Sequence, residues 1–280
     1  MIPYPDVSPD IVTVGPIRLR WYGLMYVIGF LVGRQILLRL SRSRFLQLPH
    51  VAVDDFLLAL FVGMLVGARL TYMVIYYVPS PEVPFRWWYT PFAVWEGGLS
   101  FHGGVLGMLI VCWIFSRKFR VPFFSISDSL TLAAPVGIAL GRIGNFVNAE
   151  LYGREASVPW AMRFPIRDFD GTVLGWTTPR HPSQLYESLG EGLATLVVVW
   201  LAKRYARRHG IVTAIGIIWY GFIRFFLEFF REKDPQMPYY FGWMTMGQIL
   251  CAVMVFIGIP WLILAYKRGP IIAERSDFPD

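Results

Sequence analysis

The stretch FSISDSLTLAAPVGIALGRIGNFVNAELYGR, residues 124–154, is the segment from which the rest of the chain is read. Up to residue 147 it is an apolar run of about the 20 residues that a helix needs to cross a bilayer. Its end is polar and punctuated by glycine. Arg142 and Asn145 are three apart, and so are Asn145 and Asn148, which puts them on one helix face. Gly141 and Gly144 permit close backbone approach. An arginine and two amides facing one way form a donor-rich site for an anion, most simply a phosphate. The same arginine can instead snorkel to the interface while the asparagines cap the helix end. Residue type alone leaves both readings open.

Composition points the same way. Of 280 residues, 55% are hydrophobic and only 16% charged, with a mean hydropathy of +0.49. A soluble domain carries roughly 25% charged residues, so the apolar surplus has to face lipid. The net charge of +7 could suit nucleic acid or an anionic surface. In a membrane chain, however, Lys and Arg collect in cytoplasmic loops, so no nucleic acid partner is expected. Cys112 and Cys251 lie in apolar stretches and read as small buried hydrophobes.

Working outward, about seven spans of the required ~20 residues emerge: 17–38, 54–78, 99–116, 124–147, 183–203, 211–230 and 244–266. Every second loop is basic, from Arg39, Arg42 and Arg44 to Lys267 and Arg268. Basic loops face the cytoplasm, so the N-terminus is expected outside and the C-terminus inside. The first 16 residues have no basic n-region, and arginines follow the first span, so no cleavable signal is read there. The expected fold is an all-α integral membrane protein, a single transmembrane domain over 1–280. Residues 79–98, rich in Pro, Trp and Tyr, read as an outer arm at the interface. Residues 148–182 read as a small extracytoplasmic head with room for short strands.

Ionisable residues inside spans are costly and mark function. The sixth span holds Tyr220, Arg224, Glu228 and Arg231 at offsets of four, four and three, on one face. An Arg224–Glu228 pair could be purely structural, but it does not explain the further arginine. The third span opens with GGLSFHGG, 97–104. His102 there is either an ordinary core histidine or, with flanking glycines leaving its ring accessible, a base for a thiol. HPSQLYES, 181–188, opens the fifth span. Gln184, Glu187 and Glu191 share a face there and need partners, which the arginines could supply. His181 is placed near the mouth of the site. RWYGLMY, 20–26, sets Tyr22 and Tyr26 four apart, as an interfacial belt or part of the site. Arg69 and Asp128 read as structural pairing groups. Motifs for serine hydrolysis, zinc hydrolysis and ATP use are absent from the sequence, and neither metal nor cofactor is expected.

Taken together, RWYGLMY, GGLSFHGG, GRIGNFVNAELYGR, RHPSQLYE, YGFIRFFLEFFR and MGQIL, in this order, resemble the prolipoprotein diacylglyceryl transferase family from about residue 14 to 266. The resemblance implies a bacterial inner-membrane enzyme with seven helices and a periplasmic head. It implies phosphatidylglycerol and a lipobox-containing prolipoprotein as substrates, a thioether product and released glycerol phosphate. It carries His102, Arg142, Arg224 and Tyr220 over as catalytic. Arg142, Asn145, Tyr22, Gly153, Glu150 and Arg231 are carried over as phosphatidylglycerol-binding. Glu228, Asn148, Glu187 and Gln184 would support them. A monomer is expected. Two positions depart from the family pattern: Arg20 stands where histidine is frequent, and Ala149 where glycine is. The alternatives are an anionic-lipid transporter or flippase and a phospholipid phosphotransferase.

Overall fold

The computed structural model describes residues 2–5, 7–14, 17–77, 92, 97–168, 171–233 and 238–272. Eight α-helical segments dominate: α1 Trp21–Arg42, α2 Val53–Tyr72, α3 Phe101–Phe119, α4 Phe123–Val147, α5 Ser183–Glu187, α6 Thr195–Tyr205, α7 Ile211–Leu227 and α8 Met246–Arg268. A π-helical turn, Ser188–Ala194, joins α5 to α6 in one continuous rod. Among the described residues, five helices are long and apolar enough to cross a membrane: 21–42, 50–75, 123–147, 183–205 and 246–268. The chain is a multi-pass membrane protein. Helices also stand at the third and sixth expected spans. Of these, α7 has only 17 residues, and α3 carries Arg117 and Lys118 in its last turn. Most of the expected arm, 79–98, lies outside the described residues.

The all-α expectation needs correcting at the N-terminus. Asp10–Val14 (β1) and Ile17–Arg20 (β2) form an antiparallel ribbon, so the first membrane helix starts at Trp21 rather than at residue 17. Arg20 closes the ribbon through its Nε, 3.2 Å from Asp10 Oδ1. In the head, Pro165–Arg167 (β3) pairs antiparallel with Val173–Trp176 (β4).

The chain divides into two compact units, residues 1–36 with 128–272, and residues 37–127. In the second unit, α2 and α3 pack through glycine. A Cβ on Gly67 would strike the main chain of Gly103 and Gly107, and one on Gly107 would strike Gly63. Small residues that let backbones touch are how membrane helices associate without a hydrophobic drive. Here Arg69 donates from Nη1 to the carbonyls of Gly97 and Gly98, at 2.6 and 3.1 Å. That fixes the turn leading into α3, whose N-cap is Ser100.

In the first unit, the buried Asp128 carboxylate caps the start of α7. It accepts from the main-chain N–H groups of Gly210 and Thr213, at 2.7 and 2.8 Å. The α8 start carries a complete capping box between Thr245 and Gln248. The head has its own apolar centre of Tyr4, Ala149, Met162 and Phe164, flanked by Phe146 and Tyr152. The Tyr4 hydroxyl donates to the carbonyls of Phe146 and Val147 at the end of α4. Tyr4 thereby ties the N-terminal segment to the end of α4 and to the segment that follows it.

Candidate active site

Three helices of the first unit converge on one cluster. From α4 comes Arg142, from α5 and the π-turn Glu187 and Glu191, and from α7 Arg224 with Glu228 at its C-cap. Arg142 Nε lies 3.1 Å from Glu187 Oε2, and its Nη2 lies 3.3 Å from Glu191 Oε2. Arg224 Nη1 lies 3.1 Å from Glu187 Oε1 and 3.0 Å from Glu191 Oε1. Its Nη2 holds Glu228 Oε2 at 2.7 Å. Arg231 Nη1 stands 3.9 Å from that same oxygen. The other Glu228 oxygen accepts from the Thr245 hydroxyl at 2.9 Å.

Glu187 and Glu191 reach the same partners from four residues apart, and the chain between them is π-helical. Such turns widen the helix locally and recur at functional sites. Here the turn is held by close packing. A Cβ on Gly192 would collide with Ala139 of α4, and one on Gly190 would crowd Ile223 and Leu227 of α7. Ser188 ties the turn to the Ala139 carbonyl at 3.0 Å.

The three guanidiniums of Arg142, Arg224 and Arg231 are matched in charge by the three carboxylates, which are all buried. A buried charge tolerates that position only when paired and hydrogen-bonded. The arginines are thus fixed in orientation before any ligand arrives. Arg142 is the most open of the central pair, its side chain 22% exposed against 11% for Arg224. Among the described residues, Arg142 Nη1 has no partner. That edge is where an anion can add without displacing a carboxylate.

One turn along α4, Asn145 donates from Nδ2 to Glu150 Oε1 at 2.8 Å, and Asn148 donates to the same oxygen at 3.3 Å. The two amides are therefore engaged by a carboxylate and are not bare donors. Gln184 Nε2 donates to the main-chain carbonyl of Glu150 at 2.7 Å. The chain doubles back here through Ala149 and Leu151, both at φ +55°. The left-handed backbone at Ala149 is one that glycine adopts at less cost.

Tyr22 bonds Tyr26 hydroxyl to hydroxyl at 2.8 Å. Its ring edge lies where a Cβ on Gly144 would meet it, and it is within electrostatic range of Glu150 and Arg142. Tyr220 is within the same range of Glu191, Arg224 and Arg142. Gly153 sits at a main-chain crossing beside the cluster. Its N–H donates to the His181 carbonyl at 2.9 Å, and Arg154 N–H donates to the Phe230 carbonyl at 3.0 Å. Burial holds the His181 imidazole below its usual pKa. Its Nδ1 lies 3.1 Å from the Tyr186 hydroxyl, which Trp160 Nε1 also contacts at 2.6 Å. His102 belongs to the second unit, exposed in the first turn of α3 with its ring edge-on to Phe101.

Glu191, expected from its spacing to need an arginine, meets both Arg142 and Arg224; Thr245 also joins the cluster, although sequence reasoning did not place it in the site. For Thr245 a signal existed, since T-x-x-Q before an apolar run is a capping box. No metal-binding group of His, Cys, Asp or Glu occurs among the described residues.

Comparison with known proteins identifies the family. The family model for prolipoprotein diacylglyceryl transferase matches residues 9–264. The phosphatidylglycerol–prolipoprotein diacylglyceryl transferase of Pseudomonas aeruginosa strain UCBPP-PA14 is 39% identical over 275 residues, covering 96% of this chain and 97% of that protein. The enzyme of that name from Pseudomonas entomophila strain L48 is 40% identical over 276 residues, 96% of this chain and 98% of its own. With a match of that extent, the chain belongs to the prolipoprotein diacylglyceryl transferase family and is a transferase.

Proposed function

We propose that this chain transfers the diacylglyceryl group of phosphatidylglycerol to the thiol of a lipobox cysteine in a prolipoprotein, at the outer face of a bacterial inner membrane. Seven helices would span the membrane, with the N-terminus outside and the C-terminus in the cytoplasm, as the basic loops require. The bond between the glyceryl carbon and the phosphate oxygen breaks, and a bond from that carbon to sulfur forms. The electron pair leaves on the phosphate oxygen, giving glycerol phosphate. His102 accepts the thiol proton, since the thiolate is the nucleophile.

Arg142 and Arg224 stabilise the charge that develops on the departing phosphate, with Arg231 and Tyr220 beside them. Pre-oriented donors aimed at developing charge are usually the largest catalytic contribution. Asn145 and Asn148 act through Glu150, which they hold, and Tyr22 closes the side facing α1. Glu187, Glu191 and Glu228 orient the arginines, and Gly153 lets the chain cross beside them. No covalent enzyme intermediate is needed.

The observation that carries this reading is the open edge of Arg142, whose fork is fixed by two carboxylates while Nη1 is left for a ligand oxygen. The test is incubation of purified protein with a lipobox peptide and phosphatidylglycerol. Transfer gives a mobility shift of the peptide together with one equivalent of glycerol phosphate. A lipid transporter gives neither, and a phosphotransferase moves phosphate without releasing glycerol phosphate.

A further inference from the structure

The last turns of α2 grip the turn that leads into α3. Arg69, which is buried, spans the carbonyls of Gly97 and Gly98 from Nη1, at 2.6 and 3.1 Å. Both glycines are left-handed, at φ +84° and +76°, and their carbonyls converge on the one guanidinium. Tyr72 closes over Gly98, where an added Cβ would meet its ring. The Ser100 N–H donates to the Ala68 carbonyl at 3.0 Å. Gly103 lies against Gly67 and Thr71, with no room for a side chain.

His102 follows directly, exposed in the first turn of α3. Among the described residues its ring has no hydrogen-bond partner and meets Phe101 edge-on, with centroids 5.8 Å apart. A catalytic base is ordinarily oriented by a third group that bonds it. With no such side chain among the described residues, the placement of the imidazole falls to the main chain that carries it. That main chain is set by the Ser100 cap, whose Oγ accepts from the Gly103 N–H at 3.3 Å, and by whatever holds Gly97 and Gly98 before it. Glycine has little conformational preference of its own. Two left-handed glycines in a row keep one conformation only when something outside them fixes it, and a charged donor shared by both carbonyls does so.

We infer that Arg69 is a positioning residue for the transfer reaction: through the turn at Gly97 and Gly98 it sets where the His102 imidazole stands. This rests on the reaction proposed above, in which His102 takes the thiol proton. Arg69 acts through the turn and not on the substrate. A misplacement of about 1 Å can cost about a hundredfold in rate, so slack in this turn reaches the proton transfer.

The experiment measures kcat/KM for a lipobox peptide with the full chain in lipid containing phosphatidylglycerol. It compares the unaltered protein, Arg69→Gln, His102→Gln and the double variant. Arg69→Gln should lose between about tenfold and a hundredfold at neutral pH. Raising the pH should restore part of that loss, as for His102→Gln, because the peptide thiol then ionises unaided. In the His102→Gln background, Arg69→Gln should change transfer by less than about threefold, because the base it positions is already gone. A residue that only stabilises the fold would lower transfer by the same factor with or without His102. That result, or full activity in Arg69→Gln, overturns the inference. Full activity in His102→Gln removes the base, and this inference with it, while the transfer reaction stands. No transfer by the unaltered chain removes the reaction itself. Should Arg69→Gln not fold, Arg69→Lys decides, since it keeps the charge on a side chain one atom shorter, which falls short of two carbonyls. Its loss should likewise vanish in the His102→Gln background. An equal factor in both backgrounds, or no loss, rejects the inference.

Discussion

Arg142 and Arg224 hold opposite oxygens of the same two carboxylates. Arg142 takes Oε2 of Glu187 and Glu191, and Arg224 takes Oε1 of both. The two guanidiniums come from helices far apart in sequence, yet neither can turn without disturbing the other. In the proposed reaction a lipid phosphate meeting this pair would find donors already aimed, leaving little reorganisation to the reaction.

Arg142→Lys should therefore be a poor enzyme. An ammonium is a point charge that can sit between Glu187 and Glu191, but it has no planar fork with a third edge to spare. Losing one charge-assisted bond to the phosphate costs about 1.5–3 kcal/mol, which is about a 10- to 150-fold fall in transfer. The glycerol phosphate release assay measures it. Near-normal transfer with correct membrane insertion would mean that Arg142 carries charge only and does not position the phosphate.

The helices were legible because lipid demands apolar runs of about 20 residues, and the helices follow those runs. The N-terminal ribbon was less legible. Ile17–Arg20 looks like the start of an apolar span, and only its pairing with Asp10–Val14 keeps it extended. In sequence the hint was Gly15-Pro16, a turn pair between two short β-prone runs. In the site, spacing revealed that Glu187 and Glu191 needed cationic partners. It could not show that both arginines share both carboxylates, because that depends on a π-turn and on helix packing. The fold-back that brings Glu150 to Asn145 was hidden for another reason. Its left-handed corner is occupied by Ala149, where glycine would have signalled it.

His102 stands apart from the arginine cluster in sequence and in compact unit, so its role is separable by mutation. His102→Gln keeps a polar side chain of similar size but removes the base. General-base catalysis is worth about 10²- to 10⁴-fold, and transfer should fall by that order. Raising the pH would then restore part of the activity, by ionising the peptide thiol directly. Full activity in the variant at neutral pH would assign thiol ionisation to the neighbouring guanidiniums.

Within the cluster, Glu191 is the carboxylate with least access to water, its side chain 0% exposed. Glu191→Ala leaves the Arg142 and Arg224 guanidiniums sharing one fewer counter-charge. Breaking a buried pair in this way costs about 3–5 kcal/mol, visible as a lowered melting temperature in detergent. Adding Arg142→Ala to it should recover part of the loss, because the excess positive charge is removed. A double variant whose loss is the plain sum of the two single losses would show that Arg142 and Glu191 are not coupled.

Two glycines of the GRIGNFVNAELYGR segment separate close packing from mere tolerance. An added Cβ on Gly141 meets nothing within 4 Å, so Gly141→Ala should gain about 0.5–1 kcal/mol of helix stability and keep transfer intact. An added Cβ on Gly153 would strike the Phe230 carbonyl and His181. Relief there requires the main chains of three segments to part, since Gly153 bonds His181 while its neighbour Arg154 bonds Phe230. Those segments lead from α4, into α5 and out of α7, the helices that carry Arg142, Glu187 and Arg224. Overpacking of this kind costs about 1–3 kcal/mol. Gly153→Ala should therefore lower both the melting temperature and the transfer rate, measured on the same preparation. A Gly153→Ala protein as stable and as active as Gly141→Ala would mean that this crossing does not set the geometry of the cluster.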